Sequence, residues 1–504
     1  MCPKRCKKGM DMDLTVSLRE NEEMLRSAFT KCDDIKFKAM QVGANRGRAC
    51  LLVYIEVSVS NLLLDNTALG QLFQYLNTLP EDRVIQALKT NAPGISDVNV
   101  YQTLQEAQNG LLTGAAILLV DGFKGALKIS DKGYPGMNVQ KGSTEKVIRG
   151  SEESFSESEK INTALIRKRL RSPRLKVEEQ QIGLRSKTNV ALVYMEDLAN
   201  EGVLKTIKER LSAYEIDGVL DSGILEQLAE KQWYSVFPQF LTTRRPDRAA
   251  MAILEGKIVV ISDNSPEVLV LPTDFNAFLK TTDDYYNRFQ MATFGRLLRY
   301  VATFIALCLP GLYLAVTNFH TQILPTKLLL SFQEARIGVP FPAALEILLM
   351  ELAFEMLREA GVRLPGTMGN TIGIVGGLII GQSAVEAGLV SPIIVIVVAF
   401  TALCSFAIPS EEFAFAFRVL KFIVLALSAW LGFFGFLLAL YGCLIHLASL
   451  KSFGMPFLTP FVGPELNGNQ ETKDAMVRFP LRFLWKRPLT ANPDQRTKLR
   501  RRKD

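Results

Sequence analysis

The stretch Gly366–Gly388, GTMGNTIGIVGGLIIGQSAVEAG, is the most informative part of this sequence for the fold. Its strongly polar side chains are limited to Asn370, Gln382 and Glu386. Glycines fall four residues apart, at Gly369, Gly373, Gly377 and Gly381. On a helix these glycines form one smooth stripe, which lets two helix backbones approach closely in lipid. We therefore predict a membrane-spanning helix over 369–388 whose glycines pack against a neighbouring helix.

The residues before this stretch predict an amphipathic helix over 343–361 with four glutamates. At 100° per residue, one narrow arc carries Glu351, Glu355, Arg358 and Glu359. Charged side chains are costly in lipid, so this arc must meet water, protein or headgroups. One interpretation is a ring of carboxylates, Glu351, Glu355 and Glu359, that lines a cation pathway in a homo-oligomer. The other is an amphipathic helix lying on the membrane with a solvated acidic face.

The chain divides into parts of different composition, charged up to residue 296, mostly apolar over 297–451 and basic at the end. The predicted fold class is an α/β soluble region of two similar subdomains, followed by an all-α polytopic membrane domain. A disordered N terminus is predicted over 1–20. It is followed by a first cytoplasmic subdomain (21–135), a linker with a charged helix (136–186) and a second cytoplasmic subdomain (187–290). The membrane domain (291–451) and a basic cytoplasmic tail (464–504) complete the chain. Composition favours a solvated linker with a surface helix over a hinge or subunit contact.

The two subdomains are predicted from an internal repeat. Val53-Tyr54-Ile55-Glu56 matches Val193-Tyr194-Met195-Glu196, 140 residues later, and Asp121 matches Asp263, 142 residues later. Each copy has an apolar strand, a helix and a hairpin, with turns predicted at Asp121-Gly122 and Asp263-Asn264. Chance similarity between apolar strands is the alternative, but the near-constant separation favours a duplication.

The apolar part predicts four spans of about twenty residues each, at 298–319, 369–388, 389–408 and 419–450. Arg296 and Arg299 precede the first span and Lys451 follows the last, so the positive-inside rule places both termini on the cytoplasmic side. A fifth span would move the basic tail outside, which favours an interfacial or re-entrant helix at 343–361. Arg418 and Lys421 are expected to extend towards headgroups.

No residue pattern supports an enzyme, a cofactor site or a metal site. The chain lacks GxxxxGK[ST], HExxH and GxSxG motifs, and its seven cysteines form no CxxC pair. Cys2 and Cys6 are interpreted as ordinary thiols, with lipidation or metal binding as the alternative. The basic tail has few interleaved aromatic residues, so no nucleic-acid partner is predicted.

Several long motifs resemble the A subunits of GerA-type spore germinant receptors. They include VLDSGILEQLAE (219–230), TTDDYYNRF (281–289), PFPAALEILLMELAFEMLREAGVRLP (340–365) and IPSEEFAFAFRVLKF (408–422). The resemblance covers about residues 20–465. The chain departs from the family pattern at Arg149-Gly150-Ser151-Glu152, where RGP is usual, and at Arg244, where an acidic residue is usual. A SpoVA-associated member of the family is an alternative to a receptor's own A subunit.

The resemblance implies a location in the inner membrane of bacterial endospores, with the N-terminal region facing the spore core. It also implies a complex with a transporter-like B subunit and a lipoprotein C subunit. The A subunit of this family is proposed to form a ring that conducts ions when nutrients bind. The predicted function is therefore a membrane subunit that forms or gates a cation pathway. A non-conducting scaffold or signalling subunit and a solute transporter component are the alternatives.

Overall fold

The structure is a computed structural model that describes residues 12–44, 47–58, 68–89, 98–129, 145, 149–363, 377, 379–462 and 471–499. The chain forms two compact units. The α/β unit comprises Met1–Lys231, Phe240–Pro272 and Trp485–Asp504, and the helical unit comprises Gln232–Gln239 and Thr273–Leu484. The chain therefore passes from one unit to the other four times. The short segment Gln232–Gln239 belongs to the helical unit although it interrupts the α/β unit, and the C-terminal segment Trp485–Asp504 returns to the α/β unit.

The first half of the α/β unit contains a five-stranded antiparallel sheet in the order β1-β2-β4-β5-β3. Its strands are β1 (Ile35–Val42), β2 (Arg48–Ile55), β3 (Val98–Tyr101), β4 (Ala116–Val120) and β5 (Ala126–Ile129). Its helices are α1 (Leu18–Ala28), α2 (Ala68–Thr78), α3 (Glu81–Lys89) and α4 (Leu104–Leu112). Helix α1 begins inside the segment 1–20 that was predicted to be disordered, because Ser17 caps it and Leu14 is fully buried.

The second half repeats this arrangement, with the strand order β6-β7-β9-β10-β8. Its strands are β6 (Leu175–Ile182), β7 (Thr188–Met195), β8 (Leu241–Thr243), β9 (Ile258–Ser262) and β10 (Val268–Leu271). Its helices are α5 (Glu159–Arg169), α6 (Glu201–Leu211), α7 (Ser222–Ala229) and α8 (Pro246–Leu254). The matching strand orders confirm the prediction of two similar α/β subdomains.

The duplication extends to individual hydrogen bonds. In the first copy, the buried Asn21 side chain accepts from Thr15 N and donates to Thr15 O. In the second copy, Asn162 makes the same pair of bonds to Ser156. Asn21 and Asn162 are 141 residues apart, close to the separation seen in the sequence motifs. Equivalent side chains that satisfy equivalent backbone groups support descent from one folded unit.

The predicted hairpin turns are also present in both copies. Asp121 follows β4 and accepts a hydrogen bond from Leu18 N, and Asp263 follows β9 and accepts one from Glu159 N. Each aspartate therefore ties its hairpin to the first turn of the helix that opens its subdomain. In the second copy, however, the position equivalent to Leu18 is Glu159, which is fully buried.

Helix α5 differs from the surface helix expected within 136–186. Its residues from Asn162 to Arg167 are buried, because α5 is the second-copy counterpart of α1 and covers the second sheet. Arg167 also reaches the first copy, where its Nη2 atom donates to Asp34 Oδ1 at 2.9 Å. Cys32 of the first copy pairs with Val177 on the edge of the second sheet. The charged segment is thus part of the junction between the two subdomains.

The two places where the chain departs from the family pattern lie in segments that contact each other. Arg245 Nη2 donates to Ser151 O at 3.0 Å, and Phe155 N donates to Arg244 O at 2.7 Å. Arg244 pairs with Glu267 through a 2.7 Å contact. The basic residue at position 244 therefore has an acidic partner on the neighbouring hairpin.

The helical unit contains short helices α9 (Phe275–Leu279) and α10 (Asp283–Tyr286), followed by longer helices. These are α11 (Phe289–Phe319), α12 (Thr326–Glu334), α13 (Ala343–Arg363), α14 (379–386), α15 (Pro392–Phe406) and α16 (Glu411–Ser449). Strands β11 (Lys451–Ser452) and β12 (Met455–Pro456) form a small hairpin after α16. Among the described residues, α11 and α16 are long and apolar enough to cross a membrane.

Helix α16 consists of two segments that fold back on each other at Gly432. The backbone of Gly432 has φ +63° and ψ −138°, which is not helical. Phe413 near the start of α16 and His446 near its end both pack on the ring of Phe237, with centroids 6.0 and 6.1 Å apart. The two ends of α16 therefore meet, and the segment is a helical hairpin. The sequence predicts one span over 419–450, because the apolar run continues without interruption through the turn.

Helices α13 and α15 run in the same direction. At their starts, Ser391 N donates to Glu346 Oε2 at 2.9 Å, and further along both helices Arg358 Nη2 donates to Ser405 Oγ at 2.7 Å. Since both helices point the same way, the chain between Arg363 and Ser391 must return from the end of one to the start of the other. The predicted glycine-striped span, 369–388, lies in this stretch, and its residues 369–376 and 378 lie outside the described part.

The C-terminal segment of the helical unit is tied to the start of α11 by buried charges. Arg296 is fully buried, and it donates to Asp284 Oδ2 and to Asp474 Oδ1, each at 2.8 Å. Burial of the Asp474 carboxyl opposes ionisation, but nearby Lys280 and Arg296 hold its pKa below the usual range. The segment before α11, which carries Asp284, and the segment after α16, which carries Asp474, therefore meet at Arg296.

Candidate functional site

The acidic arc of α13 faces the hairpin α16 within the same chain. Glu351 is buried, and Lys421 Nζ donates to its Oε2 atom at 2.5 Å. Lys421 also lies 3.5 Å from Glu355 Oε1, and Arg418 Nη1 donates to Glu355 Oε2 at 3.4 Å. Arg418 and Lys421 therefore point into the helical unit and neutralise the carboxylates of α13. The prediction that Arg418 and Lys421 extend towards headgroups is therefore wrong, because partners of opposite charge lie within reach.

Arg358 completes this cluster from α13 itself. Its guanidinium lies 3.9 Å from Glu355 and 4.4 Å from the ring centroid of Phe406. We call Glu351, Glu355, Arg358, Arg418 and Lys421 the α13–α16 charge network. It contains two carboxylates and three cations, so it carries an excess of positive charge when all five groups are ionised.

The hydrogen-bonding capacity of the network is not fully used. Among the described residues, Glu351 Oε1, Arg358 Nε and Arg418 Nε have no hydrogen-bond partner. An unpaired polar atom in a buried site carries a desolvation cost that a new partner would relieve. The network therefore has capacity to exchange partners, unlike a fully satisfied structural ion pair.

Much of the exposed surface of α13 is apolar. Its exposed apolar side chains include Leu348, Leu349, Leu352, Met356 and Val362, of which Met356 is 74% exposed. A helix that buries Glu351 against a cation and exposes these apolar side chains suits a lipid or protein environment better than a water-facing acidic surface.

The three candidate pore-lining carboxylates do not share one environment. Glu351 and Glu355 belong to the charge network, whereas Glu359 is exposed and pairs with Arg363 on the same helix at 2.6 Å. Glu346, which the sequence analysis set apart from the arc, is fully buried and receives hydrogen bonds from Ser391 N and Arg336 Nη2. Their role in a cation pathway stays a prediction.

The glycine stripe is described only at its second half. Gly369 and Gly373 lie outside the described residues. A Cβ atom added at Gly381 would lie 3.4 Å from Val395 of α15, whereas one added at Gly377 would meet nothing within 4 Å. At Gly381 the stripe therefore packs inside one chain, whereas at Gly377 the described residues supply no close neighbour.

The helical period predicts the acidic arc but not its partners. Arg418 and Lys421 are three residues apart in a mostly apolar helix, so they fall on one helical face. That spacing was a usable signal for a basic face that matches an acidic one. The described residues hold no cluster of three or more His, Cys, Asp or Glu side chains arranged to bind a metal ion.

A duplicated α/β unit is joined to a helical unit that contains two helices able to cross a membrane, and this combination indicates a membrane protein. Residues 23–490 match the family model for Bacillus/Clostridium GerA spore germination proteins. The chain belongs to the GerA family. This membership supports a role in spore germination.

Known relatives cover nearly the whole chain. The chain is 37% identical to spore germination protein KA of Bacillus subtilis, over 97% of this chain and 89% of that protein. It is 38% identical to the uncharacterized membrane protein YfkQ of the same organism, over 99% of this chain and 96% of that protein. The crystal structure of the N-terminal domain of the A subunit of the Bacillus megaterium spore germinant receptor GerK3 is 28% identical, with a TM-score of 0.41, and the match covers 53% of this chain and 98% of that one.

Proposed function

We propose that this chain is the A-type membrane subunit of a spore germinant receptor, and that it forms or gates a cation pathway in a homo-oligomer. The observation that carries this proposal is the α13–α16 charge network. Ionisable side chains inside a membrane helix bundle are costly, so they are kept mainly where they serve ion passage or switching. A purely structural role would be served at lower cost by apolar side chains.

The described arrangement corresponds to a closed state in this proposal. Lys421 and Arg418 form ion pairs with the carboxylates of Glu351 and Glu355, so a permeant cation would find no unpaired carboxylate there. A shift of the hairpin α16 relative to α13 would free the carboxylates. Together with Glu359, they would then line the pathway, and the unused hydrogen-bonding positions of the network would receive new partners.

We further propose that the helical unit crosses the membrane six times. Helix α11 crosses once, and both segments of the α16 hairpin cross, since each is about 25–30 Å long at 1.5 Å per residue. Helices α13 and α15 run parallel, which requires a return passage between them, and the glycine-striped segment supplies it. The number of crossings is even, so both termini lie on the same side of the membrane. The positive-inside rule places that side in the spore core.

Labelling of introduced cysteines distinguishes six crossings from four. After replacement of the native cysteines, Ala387→Cys and Pro409→Cys are labelled with an impermeant maleimide in intact vesicles of known orientation. With six crossings, position 387 lies opposite the termini and position 409 lies on their side. Four crossings with the spans predicted from sequence give the reverse result for both positions.

Cation release tests the functional proposal directly. Spores that carry the Glu351→Gln, Glu355→Gln and Glu359→Gln substitutions together should release monovalent cations more slowly after nutrient addition than spores adjusted to contain the same amount of the unsubstituted protein. The amounts are matched because loss of the carboxylates leaves Arg418 and Lys421 without partners and lowers the amount of folded protein. Glu20→Gln, an exposed carboxylate in α1, is the matched control and should leave release unchanged. Unchanged release in the triple variant would remove the pore-lining role.

A scaffold or signalling subunit is the second candidate, in which another protein conducts the ions. The four passages of the chain between its units suit a protein that transmits a signal. Conductance of the purified chain in liposomes supports the first candidate, and its absence favours the scaffold. In both cases the expected partners are a transporter-like B subunit and a lipoprotein C subunit in the spore inner membrane, and copurification from spores tests this assignment.

A further inference from the structure

A short segment between α7 and β8 belongs to the helical unit, although its neighbours in the sequence belong to the α/β unit. We call this segment, Gln232–Gln239, the aromatic loop. Phe237 in the loop is buried among Phe413, Phe417 and Phe457. Ser235 Oγ lies 2.9 Å from His446 Nε2, in the last turn of α16. The loop is therefore fixed to the end of the helical hairpin.

Two large aromatic side chains of this fixed loop point away from the protein. Trp233 is 80% exposed and Tyr234 is 63% exposed, and their rings pack edge to face with centroids 6.2 Å apart. Exposed aromatic pairs on a well-anchored loop expose a large apolar area to water. An apolar or amphipathic environment around these two rings would remove this apolar area from water.

The position of the loop along the helices identifies that environment. Phe275 packs on both Tyr300 and Phe413, and Phe237 packs on both Phe413 and His446. These contacts place Tyr300 of α11 at the same level as both ends of α16. From Tyr300, α11 runs to Phe319, which contacts the Gly432 turn, over about 28 Å at 1.5 Å per residue. That length matches the hydrocarbon core of a bilayer, about 30 Å thick.

The aromatic loop therefore lies at the level where the hydrocarbon core ends. Trp and Tyr are enriched at this level in membrane proteins, because their rings are apolar and their N–H and O–H groups meet the headgroups. Lys451, which is exposed, donates its backbone N–H to Gln232 of the loop, so a cationic side chain lies beside the loop. A cation at this level complements anionic lipid headgroups.

We propose that Trp233 and Tyr234 insert into the lipid headgroup layer on the side of the chain termini, and that the aromatic loop anchors this part of the chain to the membrane surface. This inference rests on the proposed membrane placement of the helical unit. It gives the second subdomain an attachment to the bilayer that is separate from its direct connection to α9 at Pro272–Thr273. The partner is the lipid interface, and a protein that covers the same rings is a competing outcome.

Tryptophan fluorescence of the full chain in vesicles of phosphatidylcholine and phosphatidylglycerol tests the proposal. The chain has three tryptophans, so the W430F/W485F variant reports on Trp233 alone. Nitroxide lipids labelled near the headgroup should remove most of the Trp233 emission, lipids labelled near the chain end should remove little, and aqueous iodide should have little effect. The W233F/W485F variant reports on Trp430, which is 76% exposed on the hairpin and should also be quenched by lipid labels.

Each other outcome overturns the inference in an identifiable way. If lipid labels quench Trp430 but not Trp233, the membrane placement stands and the anchoring role fails. If Trp233 emission is blue-shifted without quenching by lipid or iodide, a protein surface covers it instead. If neither tryptophan is quenched by lipid, both this inference and the proposed membrane placement fail.

A second measurement avoids substitution altogether. Hydroxyl-radical footprinting compares the reactivity of each side chain between the unsubstituted chain in vesicles and the same chain when unfolded. Trp233 and Tyr234 should be strongly protected, whereas Tyr214, which is 60% exposed in the α/β unit, should stay reactive. Equal reactivity of Tyr234 and Tyr214 in vesicles would contradict insertion of the loop.

Discussion

Lys421 and Glu351, which are 70 residues apart in the sequence, form a buried ion pair between the helical hairpin and the acidic helix. Both side chains are almost completely shielded, at 6% and 2% exposure. Removal of one partner leaves an uncompensated charge in a site that water does not reach, whereas removal of both does not. This asymmetry makes the pair suitable for a double-mutant test.

Lys421→Met should sharply reduce the amount of folded protein in the membrane, because loss of one partner of a buried pair costs about 3–5 kcal/mol. Additional replacement of Glu351 by Gln should restore much of the loss. The measurement is the yield of monodisperse protein after detergent extraction. Arg363→Ala, which breaks the exposed pair with Glu359, is the control and should have little effect. Equal yields of the single and double variants would show that the two side chains do not depend on each other.

Gly432→Ala should destabilise the hairpin, because its φ of +63° suits glycine and an added Cβ would lie 2.7 Å from the ring of Phe319. The expected cost is about 2–3 kcal/mol, from backbone strain together with the clash. Gly442→Ala in the same helix is the matched control, since its added Cβ would meet no atom of the described residues within 4 Å. Thermal unfolding in detergent compares the two variants, and equal midpoints would contradict the tight turn.

Arg167→Ala should weaken the junction between the two subdomains, because it leaves the buried Asp34 without its guanidinium partner. A loss of about 3–5 kcal/mol is expected for a broken buried pair. Arg174→Ala, which removes a partly exposed contact to Asp197, should cost less than about 1 kcal/mol. Hydrogen exchange at β1 and β6 is the measurement, and the two strands should lose protection together only in the Arg167 variant.

Glu159→Gln should change the pH dependence of the α/β unit. Burial, followed by the nearby carboxylates Glu179 and Asp263, raises the pKa of Glu159 to about 8, and Lys160 only partly opposes this. A folded-state pKa above the unfolded value means that the stabilising contribution is complete at low pH and is lost as pH rises towards 8. The free energy of unfolding of the variant should rise relative to that of the unsubstituted chain by about 4–5 kcal/mol as the pH increases from about 4.5 to about 8. Hydrogen exchange of α5, compared between the two proteins at each pH, is the measurement, and parallel curves would contradict the assignment.

The sequence determined the features that depend on local spacing. The turns at Asp121 and Asp263 follow from strand patterns that end in turn-forming residues, and the repeat follows from motifs about 140 residues apart. The acidic arc of α13 follows from the helical period alone. These features concern residues close in the chain or copies of one pattern, and such information is present in a single sequence.

Only the tertiary structure decided which surfaces those features meet. Helical periodicity gives the direction of Glu351 and Glu355 but not the distant partners Lys421 and Arg418. The fold at Gly432 was hidden because both hairpin segments are apolar, although 39 helical residues would extend about 58 Å, well beyond the bilayer core. Burial of α5 was hidden because its charged side chains find partners across the junction. In each case the deciding interaction joins segments far apart in the chain, where a pattern of local spacing carries no information.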